Sequence, residues 1–245
     1  NPNTFTVTLV AINNFGCQDS FTQSFTLNPA PVAAAQVIPT QGCTPLTVTA
    51  TNNSTVATRF VWTWGDGSPA ETSLNPLPHT YLNDTTYTLT LVANYNNICY
   101  DTFSTQITVL PVPIASFNMN VTGDICGGPL QVNATNTSQF ASNYVWNMGN
   151  GNQYNTVNVS NENYTAADTF TVTLISVNNV GCKDTTQQSF ILHPQPNAQA
   201  IISPTAACPP VVVNIQNQST NYTSLVWTFG DGTAAEFTTN PQPHT

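Results

Sequence analysis

One stretch constrains this chain more than any other, because the chain repeats it. Val61-Trp62-Thr63-Trp64-Gly65-Asp66-Gly67 returns as Val145-Trp146-Asn147-Met148-Gly149-Asn150-Gly151 and as Val226-Trp227-Thr228-Phe229-Gly230-Asp231-Gly232. Each copy reads as an apolar strand running into a tight turn. Trp62 and Trp64 lie two apart and so share one face of a strand. The glycines supply positive φ angles, and the Asp or Asn between them a local hydrogen bond. Trp62 and Trp146 stand 84 residues apart, Trp146 and Trp227 81. Phe5, Tyr87 and Phe170, each opening a Thr-x-Thr-Leu run, keep the same beat at 82 and 83. So do two cysteine series: Cys17, Cys99 and Cys182, and Cys43, Cys126 and Cys208. This period is too long for a solenoid unit and suits a small all-β domain with its own core.

The repeat frame places the last strands of a first repeat at 1–29, whole repeats at 30–112 and 113–195, and the front of a fourth at 196–245. Asn1 takes the place of Asn83, and His244-Thr245 the place of His79-Thr80. A sandwich cut inside its strands leaves open core and unpaired edges, so the chain reads as a window on a longer repetitive protein.

Within the second repeat, Val32–Val37 is expected as a first strand, followed by a loop holding Gly42 and Cys43. Leu46–Asn52 alternates strictly and predicts a half-buried strand. Phe60–Trp64 is the third strand, Ala70–Ser73 a short edge strand, and Asn75–Tyr81 a proline-stiffened crossing segment. Thr86–Asn94 and Thr102–Leu110 complete seven strands, which predicts a two-sheet sandwich. Trp62, Trp146, Trp227, Tyr81 and Tyr164 are the core candidates. The joints Asn28-Pro29-Ala30-Pro31, Pro111-Val112-Pro113 and His193-Pro194-Gln195-Pro196 are short and stiff. They predict sandwiches set end to end as a rod.

Composition narrows the partners. Arg59 and Lys183 are the only bases against 11 acids, a net charge of −9, which excludes nucleic acid and anionic membrane surfaces as partners. With 40% hydrophobic residues in clear alternation, the scarcity of charge signals folded β-structure rather than disorder. No apolar run reaches membrane-spanning length, and the first residues carry no signal-peptide pattern, which in a window on a longer chain says nothing of the parent protein. Six cysteines at repeat-locked positions, without Cys-x-x-Cys spacing, read as disulfides rather than zinc ligands and imply an oxidising, extracellular or cell-surface setting.

Three motifs stand in order within the second repeat: Trp-x-Trp-Gly-Asp-Gly at Trp62–Gly67, Pro-x-Pro-His-Thr-Tyr at Pro76–Tyr81, and Tyr-Thr-x-Thr-Leu at Tyr87–Leu91. Together they closely resemble the PKD (polycystic kidney disease) domain family. The third repeat departs from the pattern at Met148, Asn150 and Glu162-Asn163-Tyr164. The resemblance implies tandem immunoglobulin-like, seven-strand β-sandwiches acting as spacers or as adhesion or ligand-binding modules, without catalysis. The Thr- and Asn-rich, Lys-poor style is also similar to PKD arrays in large surface and gliding adhesins of Bacteroidota exported by the type IX secretion system.

Candidate sites are few. Asp66, Asn150 and Asp231, each flanked by glycines (Gly65 and Gly67, Gly149 and Gly151, Gly230 and Gly232), read as turn caps. Calcium is the alternative, but Asn150 lacks the charge and no Asp-x-Asp-x-Asp loop is present, so no cofactor is expected. His79 and His244 share a repeat position that Glu162 takes elsewhere, which points to a structural hydrogen bond. No nucleophile–base set can be assembled, so the chain is not expected to be an enzyme. Asp84-Thr85-Thr86 and Asp184-Thr185-Thr186 resemble a short Bacteroidota O-glycosylation motif that also arises by chance, making Thr85 and Thr185 the candidate acceptors.

Two cysteine pairings stand open. Cys43–Cys99 with Cys126–Cys182 stays within repeats. Yet Cys43 precedes strand two and Cys99 follows strand six, which run the same way, so a strand length of roughly 26 Å separates them against the ~7 Å a disulfide spans. Cys43–Cys182 across the joint is preferred, with Cys17, Cys99, Cys126 and Cys208 paired to cysteines beyond the chain. The expected role is a rigid stalk or filament segment of a cell-surface adhesin. Its partners are neighbouring repeats and lateral copies, with the surface or glycan ligand undefined. The alternatives are a glycan- or calcium-dependent binding module and an accessory array of a secreted hydrolase.

Overall fold

The structure, a computed structural model, describes residues 3–245; Asn1, which sets the repeat frame, lies outside the described residues. Every regular element among them is a β-strand. The chain divides into two compact units. One reaches to Val112 and takes in Val180–Cys182; the other comprises Pro113–Asn179 and Lys183–Thr245.

The first unit opens with a hairpin of β1 (Asn3–Ile12) and β2 (Gln18–Leu27). Asn13 Oδ1 caps its turn by accepting the N–H groups of Phe15 and Cys17 at 2.9 and 3.0 Å. Alternation sorts its faces: Thr4, Thr6 and Thr8 meet the hydroxyls of Thr26, Ser24 and Thr22, and Phe5 stacks on Phe25 on the other side.

A seven-strand sandwich follows: β3 (Ala35–Ile38), β4 (Gln41–Cys43), β5 (Leu46–Asn52), β6 (Arg59–Thr63), β7 (His79–Tyr81), β8 (Thr86–Tyr95) and β9 (Cys99–Leu110). The sheets are β3-β5-β7 and β4-β9-β8-β6. The period of two decides which side chains face inward. Leu46, Val48 and Ala50 of β5 are buried while Thr47, Thr49 and Thr51 are exposed, and Tyr87, Leu89, Leu91 and Ala93 of β8 are buried. Trp62 and Trp64 face the same core.

Three expectations change. Gln41–Cys43, expected as loop, forms β4 and pairs in parallel with Thr108–Leu110, because the end of β9 offers its free edge there. Of the crossing segment Asn75–Tyr81, the fifth of the seven expected strands, only His79–Tyr81 pairs, with Leu46–Val48. The edge strand, expected over Ala70–Ser73, shrinks to one bridge, Trp62 with Glu71.

The second unit repeats the plan with β10 (Phe117–Gly123), β11 (Leu130–Asn136), β12 (Asn143–Asn147), β13 (Gln153–Tyr154), β14 (Val159–Tyr164), β15 (Asp168–Val177) and β16 (Lys183–Leu192). Its sheets are β10-β11-β14 and β13-β12-β15-β16. Here the edge strand β13 forms, and the counterpart of β4 is a single parallel bridge between Cys126 and His193. Its core includes Phe117, Leu130, Trp146, Tyr164 and Leu174. The unit ends with β17 (Ala200–Ser203) paired to β18 (Asn214–Asn217), and with bridges from Trp227 to Glu236 and from Val213 to His244.

Candidate functional site

The repeated glycine turn is a latch. Gly65 has φ +84°, and a Cβ there would sit 2.5 Å from the Thr88 carbonyl oxygen. Only glycine lets the turn rest directly on β8, and Gly149 does the same over Thr171. Asp66 Oδ1 accepts the Ser68 N–H at 3.0 Å and the Ser68 hydroxyl at 2.6 Å. Its other oxygen meets His79 Nε2 at 2.7 Å. The His79 ring stacks on Trp64 with centroids 4.6 Å apart, and the Tyr81 hydroxyl donates to the Trp64 carbonyl at 2.9 Å. The latch therefore ties β6, its turn and β7 together, joining the two sheets at one end.

The fourth repeat carries the same latch. Asp231 binds Thr233 through its N–H and hydroxyl and meets His244 Nε2 at 2.7 Å, while Phe229 stacks on His244 at 3.9 Å. The third repeat reverses the polarity. Asn150 caps the turn through Oδ1 and donates from Nδ2 to Glu162 at 2.7 Å. Asn152 and the Tyr154 hydroxyl also donate to Glu162, both at 2.6 Å. The carboxylate has moved from turn to strand and the donor from strand to turn.

Electrostatics follow the geometry. Burial pushes the Asp66 carboxyl up, but hydrogen bonds from Ser68 and His79 outweigh it and bring it down to about 2. Burial likewise works against donors at Glu162, where Asn150, Tyr154 and Asn152 prevail and hold the carboxyl below its usual range. Burial pushes Tyr81 and Tyr164 up, with a neighbouring carboxylate adding to it. Asp66 and Asp231 are thus committed to their own turns and to a histidine. Among the described residues no three His, Cys, Asp or Glu side chains gather as a metal would require.

Two further carboxylates tie down each sandwich's incoming segment. Asp101 accepts the Ala33 N–H at 2.8 Å, and Asp184 accepts that of Ala115 at 2.8 Å. Each is held below its usual range by that backbone donor. Sequence reasoning missed both. The signal was there: Asp19, Asp101 and Asp184 each stand two residues after a cysteine of one series.

The other sequence-derived residues fall as follows. Trp62, Trp146, Tyr81 and Tyr164 are fully buried and Trp227 is half-buried. The three tryptophans each donate an indole N–H to a backbone carbonyl, of Ser73, Thr156 and Thr238. Gly67, Gly151, Gly230 and Gly232 have positive φ and open space around them. Thr85 and Thr185 are exposed. Cys43 and Cys182 form a disulfide with Cα atoms 6.4 Å apart, and Cys17, Cys99, Cys126 and Cys208 are free. The topology explains this choice. Cys43 lies level with Leu110 at one end of β9, while Cys99 begins the same strand, so roughly 36 Å separate them.

The PKD domain family profile matches residues 26–109. The PKD1 domain of the Vibrio cholerae metalloprotease PrtV is 30% identical over 33% of this chain and 96% of its own length, with a TM-score of 0.29. The PKD1 domain of Vibrio anguillarum Epp is 26% identical over 34% of this chain and 95% of its own, also with a TM-score of 0.29. A tetra-tandem repeat from the extending region of a large adhesion protein is 14% identical over 97% of this chain and 70% of that one, with a TM-score of 0.34. No curated protein matches the chain. The three ordered motifs, the glycine latch with its buried tryptophan, and the matched profile converge: the chain belongs to the PKD domain family.

Proposed function

We propose that this chain is a spacer segment of a longer extracellular PKD-repeat protein, a stiff stalk or filament of adhesin type that performs no catalysis. One observation carries the reading. The Cys43–Cys182 disulfide joins the front of one repeat to the last hairpin of the following one, and the other four cysteines occupy the same two positions in their own repeats. Applied at every joint, that bond locks each repeat to the next and calls for an oxidising compartment. The repeats run 1–29, 30–112, 113–195 and 196–245, and their proline-rich joints allow little bending. Neighbouring repeats are the first partners. Lateral copies are the second, since surfaces so poor in charge repel one another little.

Non-reducing peptide mapping of the native protein tests this. A peptide joining Cys43 to Cys182, with Cys99 and Cys126 bonded to neighbouring repeats, is the expected result. Peptides joining Cys43 to Cys99 and Cys126 to Cys182 would overturn the stapled stalk. The 30% identical relative is a domain of a metalloprotease, which favours a second reading as an accessory array of a secreted hydrolase. A catalytic domain encoded in the same gene would decide for it.

A further inference from the structure

A groove of about 720 Å³ runs over the outer face of β6 and β8 in the first unit. Arg59, Asn94 and Asn97 line its polar side, and Val61 and Leu74, both exposed, its apolar side. Arg59 is one of two basic residues in a chain of net charge −9. Its guanidinium makes one long hydrogen bond, 3.4 Å from Nη1 to Asn97 Oδ1, and no carboxylate among the described residues lies within ion-pair distance of it. Asn94 uses its Oδ1 to accept the Asn97 N–H at 2.6 Å, which leaves its amide NH₂ for other acceptors. The polar side therefore offers donors: a planar cationic fork and two amides.

The fold does not need Arg59, whereas Asn94 and Asn97 also serve their own turn: Asn97 has φ +59°, and its N–H is held by Asn94 Oδ1. Arg59 stands opposite Asn94 in the strand register; the equivalent pair in the next repeat is Asn143 opposite Val177, in the same sheet arrangement. Asn97, two residues before Cys99, corresponds to Val180, two before Cys182. The first repeat has Ile12 and Phe15 at the two amide positions, and the fourth has Ser224 at the arginine position. A cation and two amides have thus replaced polar-neutral and apolar residues together, in one copy, on one face. The turn accounts for Asn94 and Asn97, so Arg59, which only this copy carries and which no ion pair among the described residues holds, is what points to binding, with the two amides beside it as further donors.

We propose that this groove binds a glycan through a carboxylate-bearing sugar. The carboxylate pairs with the Arg59 fork, the amides of Asn94 and Asn97 donate to neighbouring hydroxyl and ring oxygens, and the apolar C–H face of the ring rests on Val61 and Leu74. The stalk reading and this one are independent, since a spacer repeat can carry a site on its outer face.

The test is a titration of the isotope-labelled 245-residue chain, followed by the side-chain resonances of Arg59, Asn94 and Asn97. Trigalacturonate and sialyllactose form the two acidic arms, with lactose as the neutral control. The expected result is displacement of those resonances by at least one acidic sugar and not by lactose, and the arms tell a uronate site from a sialate site. Arg59→Asn, the next repeat's residue, should weaken binding about tenfold or more, as loss of one charge-assisted hydrogen bond requires, without moving the thermal midpoint. Asn97→Gly, which removes the amide and keeps the left-handed backbone of that position, should weaken it in the same direction. The proposal is overturned if neither acidic sugar moves these resonances, if lactose binds as well, if Arg59→Asn leaves the affinity unchanged, or if an oligoglutamate peptide binds as tightly as the sugars.

Discussion

At the scale of single residues, the latch shows how one structural task is met by two chemistries. The first solution sets a carboxylate on the turn and a histidine on the strand; the second sets an amide on the turn and a carboxylate on the strand. Asp66→Ala removes both the turn cap and the acceptor for His79. It should destabilise its sandwich by about 1.5 kcal/mol, the low end for bonds to a charged group because the turn that carries Asp66 lies at the surface. Asp66→Asn keeps the cap and should cost about half as much; denaturant unfolding measures both. Asp66→Asn with His79→Glu should recover only part of the loss, because the third repeat also needs Asn152 and Tyr154, and a double-mutant cycle reads the difference. Acid has a definite sign here. The folded carboxyl of Asp66 titrates at about 2, below its ordinary 3.8, so the unfolded chain binds more protons in that window. Its contribution is intact at neutral pH, begins to fall below pH 3.8 and is gone once pH drops past 2. Thermal midpoints taken across that range should fall less steeply for Asp66→Asn than for the parent. The tie between Asp66 and His79 was only half legible beforehand. Spacing cannot reveal a contact between a turn and a strand 13 residues on, but the copies can, since Asp/His changes to Asn/Glu at both positions together.

At the scale of strands and hairpins, alternation carried most of the information. Leu46–Asn52 reads as a strand from its pattern and has those bounds in the structure, because one of its faces is buried and period two must show. The short elements were not legible. Gln41–Cys43 has a glycine at its centre and prolines on both sides, so local chemistry says loop, and only the nearby end of β9 makes it a strand. His79–Tyr81 follows two prolines and is recruited by the free edge of β5. Asp101 was invisible as a clamp, because its acceptor role depends on where the incoming segment lies rather than on its neighbours in sequence. Asp101→Ala should free the Ala33 N–H, in the segment that leads into β3. Hydrogen exchange at Ala33 should then quicken by at least about tenfold while exchange at the core amides of β8 stays as it was. Equal acceleration at both would mean that the clamp supports the whole sandwich rather than its incoming segment.

At the scale of the whole molecule, the sequence separation of the disulfide becomes the quantity that matters. The bridge spans 139 residues, and Cys99 and Cys126 both lie inside that span. Pulled from its two ends, the oxidised chain can release none of the backbone between Cys43 and Cys182. Its fully stretched length should therefore fall short of the reduced chain's by roughly 450–500 Å, which single-molecule stretching with and without reductant would register. Equal lengths in the two states would show the bridge absent. Repeated with the same step, such bridges would overlap, each beginning before the preceding one had closed. Tension would then cross one bridge, follow backbone only from Cys99 to Cys126, and cross the next. That backbone is 27 residues, roughly 95 Å at full stretch, for every two repeats. Two strands the length of β9 laid in line already reach about 80 Å. An array closed in this way holds almost no slack: even with every sandwich melted it could scarcely lengthen, and its reach would be set by sulfur chemistry rather than by folding stability.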